Sequence, residues 1–122
     1  MKLMARPRRS SVPLYVAALG PKAVESAAAY ADGWLPFLYS PEGAPRVWGE
    51  ALATGAAARP GDLGPLEVVA GGVVAVGDDV KGVLDQARPV LALYIGGMGA
   101  RGHNFFNDLV AQYGYEAEEW VA

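Results

Sequence analysis

The sequence contains no cysteine among its 122 residues. A disulfide framework, a zinc site built from thiolates and a cysteine nucleophile are therefore excluded. His103 is the only histidine and has no neighbouring set of metal ligands, so we interpret it as a solvated loop residue, with a catalytic or metal role as the alternative. The lack of cysteine is consistent with a cytoplasmic protein, which is our expectation for its location.

The sequence also lacks an excess of basic residues and long apolar runs. The net charge of -3 argues against a general nucleic-acid binder, whose footprint is a basic face. The longest uncharged apolar runs, residues 12–21 and 68–77, are well short of the roughly 20 residues that a spanning helix needs. The basic N-terminal residues 1–11 have no hydrophobic region behind them, so we interpret them as a connector rather than a targeting segment. A chain that is 52% hydrophobic is typical of a soluble globular protein.

Residues 12–22 form the stretch around which the chain is organised. The apolar run predicts a buried strand that ends in a Gly-Pro-Lys turn before an alanine-rich helix. Gly20 permits close approach of an anion to the backbone, Pro21 suits the first helical position, and Lys22 adds a positive charge. A helix N-terminus also attracts phosphate or carboxylate. The alternative is that Lys22 serves only solubility, since such turns are common in α/β proteins.

The order of elements predicts a parallel sheet. We expect a strand over residues 13–18, a helix over 21–30 and a second strand over 33–37, which together form a βαβ unit. A helix over 46–58 and a strand over 66–76 follow, and valines on both alternating sets of that strand predict burial of both faces. No composition change marks a boundary, so residues 1–122 are predicted to form a single domain.

The C-terminal part is predicted to be mainly helical. Asp78 or Asp79 is expected to cap a helix that begins near residue 80, with a metal pair as the less favoured reading because no third oxygen ligand follows. Pro89 must kink that helix or begin a new one. Asn104 is expected to cap a helix over 105–113, and a last helix is expected over 115–121. A Gly-x-Gly-x-x-Gly match at residues 97–102 lacks a preceding strand and an acidic ribose partner, so we regard it as chance.

Three separate segments resemble the luciferase-like monooxygenase family, and in particular its members that use the deazaflavin coenzyme F420. They are residues 13–22, residues 31–36 (Ala-Asp-Gly-Trp-Leu-Pro) and residues 94–101 with Asn104 and Phe105. The resemblance implies a (β/α)8 TIM barrel, of which this chain resembles about three parallel strands with their helices and part of an insertion. It also implies hydride transfer between coenzyme F420, or flavin mononucleotide as the alternative, and a small organic substrate.

The resemblance also implies which residues would bind the cofactor. By this match the backbone of Ala18, Leu19 and Gly20 and the charge of Lys22 would hold the cofactor phosphate, and Arg101 would reach a phosphate from the insertion. Trp34, Phe37 and Tyr39 are expected in the core or at the barrel rim, with contact to the cofactor ring or substrate as the alternative. No metal site and no catalytic residue are expected in this chain.

The resemblance also indicates how much of the barrel this chain contains, because a barrel of this type needs roughly 250 residues. We therefore expect a partial barrel that corresponds to the fifth to seventh strands, with the catalytic residues outside this chain. The alternative is a non-catalytic truncated module that self-associates or pairs with a partner through exposed sheet edges. Homo-oligomer formation is thus one expectation, and neither nucleic acid nor a membrane is an expected partner.

Overall fold

A computed structural model of the protein describes residues 8–99 and 102–115. These residues form two compact units, which are described separately below. The first unit contains residues 8–36 and 51–69, and the second contains residues 37–50, 70–99 and 102–115. The single-domain organisation inferred from composition stays a prediction.

The first unit is built on a three-stranded parallel sheet. Its strands are β1 (Tyr15–Ala17), β2 (Gly33–Leu35) and β3 (Glu67–Val68), hydrogen-bonded in the order β1-β2-β3. Val16 pairs with Trp34, which in turn pairs with Val68. The expected α/β class with three parallel strands is therefore confirmed, although β1 and β2 are shorter than the patterns predicted. Strand β2 ends at Leu35 because the next residue, Pro36, has no N–H to continue the ladder.

Helix α1 (Pro21–Tyr30) has the bounds that the sequence predicts. Val24, Ala27 and Ala28 are buried, as is Ala31 directly after the helix. These positions are spaced three and four residues apart, so they form one apolar face. The alanine-rich face of α1 is thus buried, while Lys22 lies exposed on another side of the helix.

Helix α2 (Ala44–Ala58) begins two residues earlier than predicted. Gly55, which weakens the helical pattern, is explained by close packing on α1 within the first unit. A Cβ at position 55 would overlap the carbonyl oxygen of Glu25 and lie 2.6 Å from the Cβ of Ala28. Glycine is therefore needed at this position so that the backbone of α2 can approach α1.

The prediction of a long buried strand over 66–76 is wrong. Strand β3 covers only Glu67–Val68, followed by a backbone bond from Val69 N to the Trp34 carbonyl (2.9 Å). Val74 and Val76 are 84% and 94% exposed. Burial of both faces requires helices packed above and below the strand, which an apolar sequence does not itself supply. In the described residues β3 is also an edge strand, with β2 as its neighbour.

After α2, the described part of the second unit contains short helices. They are α3 (Val80–Asp85), α4 (Arg88–Ala92), a π-helical turn (Leu93–Gly97) and α5 (Phe105–Gln112). Asp79 caps α3 by accepting from Gly82 N at 3.0 Å, and Asn104 caps α5, as predicted. Pro89 lies in the first turn of α4, which confirms that it begins a new helix. The helix predicted over 115–121 lies, from residue 116 on, outside the described residues.

Aromatic side chains form the core of the second unit. Trp48 is fully buried, and its ring stacks on Tyr39 with centroids 6.1 Å apart and meets Tyr113 edge to face at 5.9 Å. The Tyr113 hydroxyl donates to the Leu38 carbonyl at 2.9 Å. Leu38 has φ 53°, a left-handed conformation that is uncommon for leucine, so this bond helps to hold a strained residue.

Candidate cofactor-phosphate site

The segment that connects β1 to α1 contains four of the five residues predicted to bind cofactor. Ala18, Leu19 and Gly20 follow the carboxyl end of β1, and Lys22 lies in the first turn of α1. Ala18 is buried, and its carbonyl accepts a hydrogen bond from Nε1 of Trp34 at 2.8 Å. The beginning of the connection is thus fixed to the middle strand of the sheet.

Helix α1 begins without a capping side chain at its N-cap. Gly20 occupies that position in an extended conformation (φ -68°, ψ 142°), and Pro21 follows as the first helical residue. The first bond of the helical pattern runs from Val24 N to the Gly20 carbonyl at 3.0 Å. The N–H groups of Lys22 and Ala23 precede this bond and have no acceptor within the helix. This end of α1 therefore presents N–H donors and the positive end of the helix dipole.

Glycine at position 20 is not required by the conformation of the chain. Its φ of -68° is accessible to every residue, and a Cβ built on Gly20 would have no atom within 4 Å. Neither strain nor crowding among the described residues accounts for glycine here. The open space above the backbone fits the close approach of an anion, which a side chain at this position would obstruct.

Lys22 supplies a mobile positive charge beside the helix start. Its side chain is 94% exposed, and Nζ lies 3.2 Å from Oε2 of Glu25, one turn along the helix. Exposed ion pairs of this kind contribute little to stability, so Lys22 can turn to another anion at small cost. Glu25 nevertheless offsets part of the positive charge.

The other sequence-based candidates have separate outcomes. Arg101 lies outside the described residues, so its approach to a phosphate stays a prediction. Asp79 caps α3, and the described part of the chain contains no cluster of three or more potential metal-ligating side chains. His103 is exposed in its loop. Trp34 is fully buried, whereas Phe37 is 41% exposed and packs edge to face on Tyr94 at 4.8 Å.

Sequence reasoning missed two side chains that hold this region. Trp34, considered only as core or rim, bonds directly to the connection at Ala18. Arg59, in the loop after α2, donates to the carbonyls of Ala28 (2.9 Å) and Ala31 (2.6 Å) at the carboxyl end of α1. The local signal, a cation directly after α2, indicates the end of α2 and does not reveal that Arg59 bonds to α1.

Residues 1–119 match the luciferase-like monooxygenase family. The chain belongs to this family. A Mycobacterium tuberculosis protein, named provisionally as a coenzyme F420-dependent oxidoreductase, is 40% identical to this luciferase-like chain over 118 residues. The match covers 94% of the chain and 33% of the relative, so the chain spans about a third of the length of that relative. No solved structure matches this chain significantly.

In the part of the chain that the structure describes, no helix has the length and apolarity needed to cross a membrane.

Proposed function

We propose that this chain supplies the cofactor-phosphate site of a luciferase-like oxidoreductase that transfers a hydride between coenzyme F420 and a small organic substrate. The observation that carries the proposal is the start of α1, where N–H donors without a capping side chain, the open backbone at Gly20 and the charge of Lys22 lie together. The name of the Mycobacterium tuberculosis relative supports coenzyme F420. Flavin mononucleotide, which also carries a phosphate, is the alternative cofactor.

The position of this segment in the fold supports the same function. Ligands of parallel α/β proteins bind beyond the carboxyl ends of the strands, and the segment 18–22 follows the carboxyl end of β1. We propose that the three strands are part of a (β/α)8 barrel and that the protein acts in the cytoplasm. The rest of the barrel, including the catalytic residues, would come from outside this chain.

Each residue of the site has a defined task in this proposal. The N–H groups that precede the first helical bond donate to phosphate oxygens, and the helix dipole favours the negative charge. Lys22 adds a charge-assisted hydrogen bond, and Arg101 is the proposed second cation. The cofactor, when bound, supplies the ring that exchanges the hydride. The chain itself binds and orients the phosphate end.

The test is a fluorescence titration of coenzyme F420 with the natural chain and with Lys22→Ala. We expect saturable binding that is about tenfold weaker in Lys22→Ala, since a hydrogen bond to a charged group contributes about 1.5–3 kcal/mol and some of this is screened at an exposed site. Lys81→Ala is the matched control, because Lys81 is also exposed and pairs with an acidic residue, Asp85, on a helix surface. Equal affinities of the two variants would refute the role of Lys22.

Two further titrations define the ligand. Flavin mononucleotide at the same ionic strength distinguishes the two cofactors, and the one that binds more tightly is the preferred one. Inorganic phosphate should compete with the bound cofactor, since the site recognises the phosphate rather than the ring. Binding that does not respond to phosphate or to ionic strength would contradict a phosphate site.

A specific observation favours a second candidate function, that of a non-catalytic module that self-associates. After β3 the chain exposes Val73, Val74 and Val76, and no strand of the described residues pairs with the outer side of β3. Such an edge is a template for pairing with another chain. A mass that rises with concentration in analytical ultracentrifugation, without cofactor binding, would support this candidate. A monomer at all concentrations would exclude it.

A further inference from the structure

We propose that Trp34 is a positioning residue for the cofactor-phosphate loop, which we define as residues 18–20. The inference rests on the proposed function, because it assigns to Trp34 the task of holding that loop in its binding conformation. The observation behind it is the hydrogen bond from Trp34 Nε1 to the carbonyl of Ala18, 2.8 Å long and buried. The sequence motif around Trp34 and the loop are 16 residues apart, and this bond joins them directly.

The indole is itself held in place. Trp34 is fully buried in the middle strand, where its backbone pairs with Val16 on one side and Val68 on the other. Its carbonyl also accepts from Val69 N at 2.9 Å. The paired backbone fixes the position of the residue, and complete burial restricts the rotation of its ring. The Nε1 donor is therefore a fixed point against which the loop is aligned.

The loop is fixed at both ends. Trp34 holds the Ala18 carbonyl at one end, and the Gly20 carbonyl accepts from Val24 N in the first helical bond at the other. Only Leu19 lies between these two anchors. Two fixed carbonyls separated by one residue leave few backbone conformations, so the loop is ordered before a ligand arrives. Preorganisation of this kind raises affinity, because binding does not have to order the backbone.

The bond also carries an energetic constraint. The Ala18 carbonyl is in a buried residue, so without the indole donor it would be left unpaired or would rotate toward water. Rotation of this peptide unit would change the direction of the backbone at Leu19 and Gly20. Loss of a single N–H group on Trp34 is thus expected to alter the loop without altering the packing around the ring.

The decisive variant replaces Trp34 by benzothienylalanine, which keeps the shape of the indole and has sulfur in place of the N–H group. Trp34→Phe is the second variant, and Trp48→Phe, at another fully buried tryptophan, is the control for loss of a core indole. For each protein we would measure cooperative unfolding, backbone ¹⁵N relaxation at Leu19 and Gly20, and the affinity for coenzyme F420.

We expect the benzothienylalanine protein to fold cooperatively, to show increased mobility at Leu19 and Gly20, and to bind coenzyme F420 about tenfold more weakly. Trp48→Phe should leave both loop mobility and affinity unchanged. Unchanged mobility of the loop in the benzothienylalanine protein, or increased mobility with unchanged affinity, would overturn the inference. If the natural chain bound no coenzyme F420, the proposed function and this inference would both fail, whereas equal binding by natural and substituted chains would refute the inference alone.

Discussion

The phenol ring of Tyr15 lies directly over the α-carbon of Gly33. Position 33 is in the middle strand, between Tyr15 of β1 and Glu67 of β3 in one row of the sheet. The ring extends along this row over the middle strand, and its hydroxyl donates a hydrogen bond to the Glu67 carboxylate. A side chain on the middle strand would separate the two partners. Glycine at this position therefore permits a side-chain bond between strands that are not neighbours.

We expect Gly33→Ala to lower the free energy of unfolding by about 2 kcal/mol. The new Cβ would overlap two carbon atoms of the Tyr15 ring, so the ring must move and its bond to Glu67 must break. Chemical denaturation monitored by circular dichroism measures the change. Gly49→Ala is the control, since nothing lies within 4 Å of a Cβ there and alanine favours helix α2 by up to about 1 kcal/mol. Equal stability of Gly33→Ala and the natural chain would contradict the close approach.

Tyrosine ionisation is expected to destabilise the protein at alkaline pH. Burial raises the pKa of Tyr113 from its ordinary value of 10.0 to about 12, and the hydrogen bond to Glu67 is the main cause that raises the pKa of Tyr15. Between pH 10.0 and about pH 12 the unfolded chain has released the Tyr113 proton while the folded chain retains it. Stability from this residue is therefore complete below about pH 10 and is lost as the pH rises through about 12.

The measurement is the unfolding free energy as a function of pH, with tyrosinate absorbance followed in parallel. Tyr113→Phe should flatten the alkaline decline, because the variant has no proton to release there and also lacks the bond to the Leu38 carbonyl. Tyr30→Phe is the control, since Tyr30 is 52% exposed and its replacement should leave the decline intact. A decline of the same steepness in Tyr113→Phe would contradict the assignment.

Local signals explain which parts of the fold the sequence could predict. Helix α1 was predicted with its observed bounds because proline, an alanine-rich face and a polar face all agree within ten residues. Asn104 was predicted as a cap, and the other cap was narrowed to Asp78 or Asp79, for a similar reason, since a cap depends on N–H groups only two or three residues away.

Long-range signals explain what the sequence could not predict. Residues 66–76 have the apolar composition of a buried strand, but burial depends on neighbours that the local pattern does not specify, and Val74 and Val76 are exposed. The bond from Trp34 to Ala18 joins residues 16 positions apart, and that from Arg59 to Ala28 joins residues 31 apart. Periodicity carries no information about either pair. The proposed phosphate-binding residues were predicted from a contiguous motif and a family resemblance.

Arg59 is expected to be necessary for stability at the carboxyl end of α1. Its Nη1 donates to the carbonyls of Ala28 and Ala31, while its Nε donates to the Gly64 carbonyl at 2.6 Å. Lysine has a single nitrogen and cannot reach both sides, so Arg59→Lys should lower the free energy of unfolding by about 1–3 kcal/mol. Arg88→Lys is the matched control, because Arg88 forms an exposed pair with Asp85. Equal effects of the two substitutions in chemical denaturation would contradict the capping role.

Glu25→Gln is expected to change anion affinity and stability in opposite directions. Removal of the carboxylate releases Lys22 from its 3.2 Å ion pair and removes a negative charge beside the proposed phosphate site, so the affinity for coenzyme F420 should increase about twofold to threefold. The same change removes a favourable pair within α1, so the unfolding free energy should fall by about 0.2–0.5 kcal/mol. Fluorescence titration and denaturation of the same preparation measure both quantities.

Asp85→Asn, which releases Lys81 and Arg88 on α3 and α4, should reduce stability without any gain in affinity. A gain that is equal in both variants would indicate a general effect of net charge, whereas a gain in Glu25→Gln that disappears when Lys22→Ala is added would locate the effect at the start of α1.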